Sequence, residues 1–318
     1  SAPLPLPPPT PPHVSLRRAL PHWIESGASP WVVNAIRYGL KLPWSSAPTP
    51  YRARPLPLPS EWEAWALARA TDMTGRGSLR QLSRAEARAA PWVSDAFVTN
   101  LPDAPRLVIN YKHINRFLPK RPFRYESLST FVSQLFKDDH LVSWDVKSAY
   151  HHLPLHRDVR PYLVFRISGH FYEPQSLPFG LSLAPWAWTK LCRPVLAALR
   201  LAGFRAMGYI DDFAAAPPGA APASALAATE GRRAALRVFA AFGLQIAPDK
   251  GSATGTTHLP LLGFVVDTRR QLLLLPPARL DRLRLAARRL QHHAAYHCRW
   301  VPFGRLRRFC GLAVSTLL

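Results

Sequence analysis

Two adjacent carboxylates interrupt an apolar segment in the stretch Gly208-Tyr209-Ile210-Asp211-Asp212-Phe213. The chain has 318 residues, with 19 Asp and Glu against 41 Lys and Arg, so an acidic pair between apolar neighbours calls for an explanation. The simplest explanation is a polar hairpin turn, because an Asp side chain can hydrogen-bond its own backbone. The competing explanation is a site that uses both carboxylates chemically. The segments on either side decide between the two.

The flanking sequence alternates between short apolar runs typical of strands and longer amphipathic runs typical of helices. Gly203 and Gly243 each follow a helical run, at the place where a helix commonly ends. Strands or hairpins are predicted at 97–111, 141–146, 163–172, 205–216 and 261–275, and helices at 60–71, 127–136, 184–202, 229–242, from 277 onward and at 303–317. This mixed order with several hairpins predicts an α+β fold rather than a repeating βαβ fold. Asp211 and Asp212 are expected to form the turn of the 205–216 hairpin.

The net charge restricts the class of partner. The formal net charge is +22 and the sequence pI is about 11.0, which favours a polyanionic partner, most simply nucleic acid. No run of 18 or more apolar residues is present, so we expect no membrane partner. Cys192, Cys298 and Cys310 form no C-x-x-C pair, which favours a reducing, intracellular compartment such as the nucleus or cytoplasm.

Residues 1–60 are rich in proline and predict an N-terminal extension. Prolines crowd residues 1–12, which favours an extended polyproline-type arm. Between Leu16 and Leu40 the apolar residues, Trp23 and Ile36 among them, predict one or two short helices. Pro30 is expected to start the second helix.

A third carboxylate, Asp145, ends the predicted strand at 141–146 and lies 66 residues before Asp211. If that strand and the 205–216 hairpin are neighbours in one sheet, three carboxylates meet at one end of it. An oxygen-rich cluster of this kind suits Mg²⁺, which keeps water and substrate phosphate among its ligands. Two such ions, roughly 3.5–4 Å apart, can activate an attacking 3′-hydroxyl and stabilise the leaving pyrophosphate.

The motifs resemble, in order, those of a reverse transcriptase over most of residues 95–318. The residues that carry the resemblance are Arg106-Leu107-Val108-Ile109-Asn110 with Asn115, Trp144-Asp145-Val146-Lys147-Ser148-Ala149-Tyr150, Leu177-Pro178-Phe179-Gly180-Leu181 with Ala184-Pro185, Tyr209-Ile210-Asp211-Asp212, Gly243-Leu244 with Lys250, and Leu261-Leu262-Gly263-Phe264. Several motifs in the family's order are a far more specific signal than one Asp pair. The resemblance implies a right-hand polymerase fold and an RNA-directed DNA polymerase that adds deoxynucleotides to a primer 3′ end.

Further residues resemble the DIRS-type, tyrosine-recombinase branch of retrotransposons. They are Trp23, Ile36-Arg37-Tyr38-Gly39-Leu40 before Pro43, Phe123-Arg124-Tyr125-Glu126-Ser127-Leu128, and Phe309-Cys310-Gly311-Leu312. The resemblance covers the polymerase region and not the family's ribonuclease H domain. It implies four parts, namely the N-terminal extension at 1–60, fingers at 61–137 and 151–180, palm at 138–150 and 181–275, and the start of a thumb at 276–318.

The resemblance also assigns the metal site. Asp145 and Asp211 would hold two Mg²⁺ ions, with the Val146 carbonyl as a further ligand and Mn²⁺ as the alternative ion. Asp212 would support the site. All three carboxylates are therefore expected to be catalytic.

Substrate residues follow from the same resemblance. Tyr150 would lie under the sugar of a deoxynucleoside triphosphate and exclude a 2′-hydroxyl, although core packing is the alternative role of a Tyr here. Phe179 and Gly180 would press on the nascent base pair, while Arg106 and Lys250 would meet the triphosphate. The residues expected to contact the RNA template and DNA primer are Gly263, Arg279, Arg282, Arg288 and Arg289.

One departure from the family pattern supports a second hypothesis. Fingers strands of the family usually carry a second basic residue some way before the Arg that matches Arg106. The segment Phe97-Val98-Thr99-Asn100-Leu101-Pro102-Asp103 has none, and Lys112, Lys120 or Arg121 would have to replace it. The alternative is a domesticated, catalytically idle descendant that binds RNA as a structural subunit of a large ribonucleoprotein such as a ribosome, in which case an organelle is a further compartment. The intact carboxylates favour the polymerase, since clustered like charges cost stability unless they are used.

Overall fold

The computed structural model describes residues 10–55, 57–99, 104–296, 301 and 303–314. The proline-rich residues 1–9, the segment 100–103 of the predicted fingers strand, Cys298 and residues 315–318 lie outside this range. Two compact units divide the chain. The first unit comprises Ser1–Arg124, Val146–Ala198 and Leu236–Ala247, and the second comprises Tyr125–Asp145, Leu199–Ala235 and Pro248–Leu318.

The helices and strands follow in chain order. The α-helices are α1 (Pro12–Arg18), α2 (Leu20–Glu25), α3 (Pro30–Tyr38), α4 (Ser60–Gly75), α5 (Arg84–Ala89), α6 (Leu128–Val132), α7 (Ala184–Leu201), α8 (Ala225–Ala241), α9 (Pro277–Tyr296) and α10 (Phe303–Val314). The strands are β1 (Tyr51–Arg52), β2 (Leu79–Leu82), β3 (Trp92–Thr99), β4 (Arg106–Ile109), β5 (Val142–Asp145), β6 (Phe165–Ile167), β7 (His170–Pro174), β8 (Arg205–Tyr209), β9 (Asp212–Ala216), β10 (His258–Leu261), β11 (Phe264–Asp267) and β12 (Leu272–Leu274). Short 3₁₀ helices lie at Ile114–Phe117, Ala149–His152 and Arg160–Leu163.

A six-stranded sheet forms the centre of the first unit. Its order is β1-β3-β6-β7-β2, and β4 pairs with β3 in addition. β3 runs parallel to β1 and β6, whereas β4 is antiparallel to β3 and β7 is antiparallel to β6. The β6–β7 hairpin lies in the predicted 163–172 segment and turns at Ser168 and Gly169, which both have a positive φ.

The N-terminal helices α1 to α3 belong to the core of the first unit. Trp23 is completely buried, and its indole Nε1 donates to the Phe242 carbonyl at 3.0 Å. Gln245 Nε2 donates to the Thr10 carbonyl at 2.8 Å. Gly243 has a φ of +72°, and a Cβ added there would lie 2.4 Å from the Ser15 carbonyl oxygen. The helices predicted between Leu16 and Leu40 are therefore present, and residues more than 200 positions later hold them in place.

The second unit contains two three-stranded antiparallel sheets, β5-β9-β8 and β10-β11-β12. Both contribute to one hydrophobic core, in which Phe131, Met207, Ala214, Leu259 and Phe264 are buried. Within the described residues, no helix combines the length and the apolar character needed to cross a membrane.

The predicted bounds of one hairpin and one helix in the second unit were wrong. The hairpin predicted at 261–275 starts too late, because β10 begins at His258, and Leu262 and Gly263, which both adopt a positive φ of 50° and 77°, form the turn between β10 and β11. The helix predicted at 127–136 is the shorter α6, which Ser127 caps by accepting from the Thr130 N–H. In both places the hydrophobic pattern continues through residues at which the backbone leaves the strand or helix conformation.

A buried ion pair ties together several segments of the second unit. Asp139 is fully buried and pairs with Arg205, the first residue of β8, at 2.7 Å. Its carboxylate also accepts from the backbone N–H groups of Phe136 and Ala223. The Thr268 hydroxyl donates to the Asp139 carbonyl at 2.6 Å. Since every charge in this cluster is compensated, it serves the fold.

We expect the Arg205→Ala variant to lose about 3–5 kcal/mol of unfolding free energy, because removal of one partner leaves the Asp139 carboxylate buried without its counter-charge. Urea unfolding followed by circular dichroism measures this loss. The matched control is Arg233→Ala, which removes an exposed arginine of α8 and should change the unfolding free energy by less than about 0.5 kcal/mol. Equal effects of the two variants would contradict the structural role of the pair.

Stability should also fall in mild acid because of His152 in the first unit. Burial lowers the pKa of this imidazole from 6.5 to about 4, and its Nε2 accepts from the Gln245 N–H at 3.0 Å. The unfolded chain therefore binds one more proton than the folded chain between pH 6.5 and 4, so the stabilisation is complete above pH 6.5 and is lost as the pH falls toward 4. The expected slope is up to about 1.4 kcal/mol per pH unit for each such histidine.

Urea titrations at several pH values between 4 and 7 measure this slope. His151, whose pKa burial also lowers to about 4, should contribute a second share. The His152→Gln variant should retain an acceptor for Gln245 and show a shallower pH dependence. An unchanged slope in this variant would exclude His152 as a source of the acid sensitivity.

Candidate active site

Two of the three predicted aspartates face each other across a strand pair of the second unit. β5 and β9 are antiparallel, and their register places Asp145 directly opposite Asp212. Asp145 is buried at the end of β5, whereas Asp212 is the first, exposed residue of β9. The sheet therefore brings two carboxylates from distant parts of the sequence to one end of a ladder.

The third aspartate lies in the turn that joins β8 to β9. The turn consists of Ile210 and Asp211, because Tyr209 pairs with Asp212 as the last rung of the ladder. The prediction that Asp211 and Asp212 together form the turn was therefore wrong by one residue. Ile210 has a φ of +55°, a left-handed conformation that is unusual for a β-branched residue. Backbone strain of this kind is found preferentially at functional sites.

The charges at this end of the sheet are only partly compensated. Lys250 Nζ donates to Asp145 Oδ2 at 3.0 Å, and this bond raises the pKa of the Lys250 amine. Burial raises the pKa of Asp211, and the charge of Asp145 adds to the effect. The pKa of Asp212 is raised by partial desolvation of its carboxylate and then by the charges of Asp211 and Asp145. The site therefore favours an added cation.

These carboxylates fit a divalent metal ion that arrives with its own oxygen ligands. In the part of the chain that the structure describes, no group of three or more His, Cys, Asp or Glu side chains is arranged to hold a metal by itself. Mg²⁺ does not need such a cage, since one or two carboxylates with waters and substrate phosphates suffice. The hard oxygen donors of Asp145 and Asp211 and the raised pKa of Asp211 match that requirement.

An open cleft of about 660 Å³ adjoins Asp145 and Asp212 within the second unit. Lys250 and Gly251 line it on one side, and the β10–β11 turn with Gly263 lines it on another. Gly251 has a φ of +83°, and a Cβ there would lie 2.4 Å from the Ser143 carbonyl oxygen. We did not predict a role for Gly251. A glycine directly after a charged loop residue is the sequence signal that could have revealed it.

The predicted nucleic-acid residues of the second unit lie on the β10–β11 turn and on α9. Arg279 Nη1 donates to the Gly263 carbonyl at 2.9 Å, and the Arg279 guanidinium lies 5.2 Å from the ring centroid of Phe264. Arg282, Arg288 and Arg289 are exposed and line an open groove beside α10. The structure thus joins Arg279 to the turn and leaves the other three arginines accessible.

The remaining predicted residues lie in the first unit. Tyr150 is buried, and its ring lies 4.7 Å from the half-exposed ring of Phe179. Gly180 has a φ of +96°, and its carbonyl accepts from Asn115 Nδ2 at 2.9 Å. Arg106 is the exposed first residue of β4, an element that contains neither Tyr150 nor Phe179.

Val146, the proposed carbonyl ligand, is also assigned to the first unit. It is fully buried and forms an isolated antiparallel bridge with Ile246. Asp145 and Val146 are thus consecutive residues of two different units. The predicted site residues fall into two sets, one in each unit.

Comparisons with known proteins identify the family. The reverse transcriptase (RNA-dependent DNA polymerase) family matches residues 99–266, which include all three aspartates, Tyr150 and Lys250. The genome polyprotein of petunia vein clearing virus is 32% identical over 143 residues, which cover 42% of this chain and 6% of the polyprotein. The retrovirus-related Pol polyprotein from transposon 412 of Drosophila melanogaster is 28% identical over 107 residues, which cover 34% of this chain and 8% of that protein. The chain therefore spans less than a tenth of the length of these relatives.

Solved structures show the same fold. The foamy viral protease-reverse transcriptase in complex with double-stranded DNA matches with a TM-score of 0.66 and 14% identity, over 85% of this chain and 43% of that one. The foamy viral enzyme in complex with an RNA/DNA hybrid matches with a TM-score of 0.65 and 15% identity, over 85% of this chain and 33% of that one. These likenesses confirm the predicted α+β, right-hand polymerase fold. With more than half of its residues matched by the family, the chain belongs to the reverse transcriptases.

Proposed function

We propose that this chain is the polymerase region of an RNA-directed DNA polymerase and adds deoxynucleotides to a primer 3′ end by two-metal phosphoryl transfer. The observation that carries the proposal is the β5–β9 register, which sets Asp145 opposite Asp212 with Asp211 in the adjoining turn. All three residues lie within the segment that the family matches. Foamy viral relatives of the same fold were solved with nucleic acid bound, which supports a template–primer as the partner.

Asp145 and Asp211, with the Val146 carbonyl, are the proposed ligands of two Mg²⁺ ions, and Mn²⁺ is the alternative ion. Reverse transcriptases as a family use divalent ions, and such ions lower the cost of charge that develops on the attacking and leaving oxygens. Asp212 supports the site from the opposite strand. Partial desolvation and neighbouring carboxylates raise the pKa values of Asp211 and Asp212, and bound cations relieve this electrostatic cost.

Lys250 is proposed to bind the triphosphate. Its side chain is 62% exposed while its amine pairs with Asp145, so the amine can exchange one anionic partner for another without being buried. In the absence of substrate the Lys250 amine compensates part of the carboxylate charge. Arg106, exposed at the start of β4, is the second proposed triphosphate ligand.

Tyr150 is proposed to select deoxynucleotides. Its buried ring packs against Phe179 and Trp188, with centroid separations of 4.7 and 6.4 Å, so the ring has little freedom to move aside. A fixed aromatic ring under the sugar leaves no room for a 2′-hydroxyl. Gly180, held by Asn115, would contact the nascent base pair together with Phe179.

The exposed arginines of α9 are proposed to contact the template–primer backbone. Arg282, Arg288 and Arg289 are exposed and line an open groove, so a phosphate backbone can reach them. Such contacts read no sequence and weaken steeply with salt. With the net charge of +22 they support nucleic acid as the main partner.

The finer lineage is also a proposal. Residues Ile36 to Leu40 and Phe123 to Leu128 support a place in the DIRS-type branch, whose polymerases they resemble. In the structure Gly39 has a φ of +92°, and a Cβ there would lie 2.5 Å from the His156 backbone nitrogen, which gives this glycine a physical reason to be kept. A phylogeny built on this segment tests the placement.

Asp211→Ala should abolish primer extension on a poly(rA)/oligo(dT) template with Mg²⁺, with kcat reduced by at least about a thousandfold because a metal ligand is lost. The matched control is Asp158→Asn, which removes an exposed carboxylate in the first unit and should leave extension unchanged. Failure of the wild-type chain to extend any primer, with stable co-sedimentation on a ribonucleoprotein, would instead support the idle RNA-binding descendant.

Tyr150→Val should relax sugar selection. Removal of the ring opens space for a 2′-hydroxyl, so the ratio of kcat/KM for UTP over dTTP should rise by at least about tenfold. Because this is a ratio within one variant, partial loss of folded protein does not affect it. Tyr38→Val, at an exposed tyrosine of α3, should leave the ratio unchanged. Equal ratios in wild type and Tyr150→Val would remove Tyr150 from sugar selection.

A further inference from the structure

One ion pair covers the open edge of β8 in the second unit. β8 is an outer strand of the β5-β9-β8 sheet, and among the strands that the structure describes none pairs with its other edge. The Gly208 N–H donates to Glu126 Oε2 at 3.0 Å, and Arg200 Nη2 donates to the Ala206 carbonyl at 2.9 Å. Glu126 Oε1 and Arg200 Nη2 are 2.6 Å apart. The pair thus supplies one acceptor and one donor, as a neighbouring strand would.

The residues on either side of Glu126 are both anchored by contacts of their own. The next residue, Ser127, caps α6, and the Thr130 N–H donates to the Ser127 hydroxyl oxygen at 3.4 Å. The previous residue, Tyr125, packs its ring on Tyr209 with the centroids 4.4 Å apart. Tyr209 is the last residue of β8 and immediately precedes the Ile210–Asp211 turn. Residues 125–127 therefore hold β8 at two points close to that turn.

Asp211 depends on β8 more than the other two aspartates do. Asp145 and Asp212 are fixed by their direct pairing between β5 and β9. Asp211 has no partner in a ladder, and the turn that carries it includes Ile210 in the left-handed region. A strained turn holds its conformation only while the strands on both sides are held. On the β8 side, the Glu126–Arg200 pair provides that restraint together with the Tyr125 ring on Tyr209.

We propose that Glu126 and Arg200 are positioning residues that complete the hydrogen bonds of β8 and thereby hold the Asp211 carboxylate in place for polymerisation. The inference rests on the proposed function, since it explains how the catalytic turn is kept in register. It gives a physical role to the Tyr125-Glu126-Ser127 segment that the family resemblance singled out. The two side chains are 29% and 45% exposed, so a simple surface ion pair would contribute little stability.

Steady-state kinetics of Glu126 variants test the proposal on the poly(rA)/oligo(dT) template. We expect Glu126→Ala to lower kcat by about tenfold or more while KM for dTTP changes by less than about threefold, because small displacements of a reacting group cost rate rather than binding. Glu126→Gln keeps an acceptor for Gly208 and should lie within about threefold of wild-type kcat. Wild-type kcat in Glu126→Ala would overturn the proposal.

A charge swap separates edge covering from simple charge pairing. The Glu126→Arg/Arg200→Glu double variant restores an ion pair, but Arg cannot accept from the Gly208 N–H and Glu cannot donate to the Ala206 carbonyl. We therefore expect the swap to remain as slow as Glu126→Ala. Recovery of wild-type kcat in the swap would show that charge alone matters and would overturn the proposal.

Amide hydrogen exchange gives a readout that does not depend on activity. Peptides that cover 205–216 should exchange at least about tenfold faster in Glu126→Ala than in wild type, since the Gly208 N–H loses its acceptor. Asp158→Asn is the control and should exchange like wild type. A wild-type chain without polymerase activity would refute the proposed function, and hydrogen exchange would then test the role of the Glu126–Arg200 pair by itself. Faster exchange in Glu126→Ala supports the proposal that the pair holds β8, and unchanged exchange overturns it.

Discussion

The antiparallel pairing of β5 with β9 places Asp145 directly opposite Asp212, and like charges in that position repel. The rest of the ladder has to keep this register against the repulsion. One rung further in, Trp144 is paired with Phe213, and their rings are nearly parallel with centroids 6.3 Å apart. The next residues of β9, Ala214 to Ala216, are completely buried. An apolar ladder thus carries a charged end.

Acidic side chains at the two ends of this sheet differ in how fully their charge is compensated. Asp139, near the far end, has an arginine and two backbone N–H groups as partners, so its charge is satisfied by the protein itself. At the near end, the Lys250 amine pairs with Asp145, and the pKa values of Asp211 and Asp212 are still raised. Full compensation is typical of a structural carboxylate, and partial compensation is typical of a site that awaits a ligand.

Sequence alone gives the position of the catalytic strands but not their fine geometry. The β-runs before Asp145 and around Asp211 are apolar and short, which predicts two strands, whereas their pairing was only a condition of the sequence argument. The exact turn could not be predicted, because Ile210 adopts a left-handed φ that its side chain disfavours and that only the surrounding strands impose. The Leu262–Gly263 turn escaped prediction for the same reason. Hydrophobic periodicity predicts which residues are buried, but it does not predict which residues adopt a positive φ.

Long-range hydrogen bonds were the second thing that the sequence could not reveal. Trp23 and Phe242 are 219 residues apart, yet the indole of one donates to the carbonyl of the other. A tryptophan in a proline-rich region indicates that the segment docks, but no local pattern names the receiving surface. The Gly208–Glu126 bond, which spans 82 residues, escaped prediction in the same way. In both contacts one partner is a backbone group, which nearly every residue type carries, so the residue type does not identify it.

The close approach of Gly243 to Ser15 has an evolutionary consequence. Any side chain at Gly243 would have to adopt an unfavourable φ of +72° and also displace the backbone of α1. The glycine and the helix are therefore linked as a pair of inherited characters. In lineages that retain α1, position 243 should stay glycine. In lineages that have lost α1, the steric half of the restriction disappears, and an alignment should show Asn or Asp entering that column first, since these residues tolerate the left-handed conformation best.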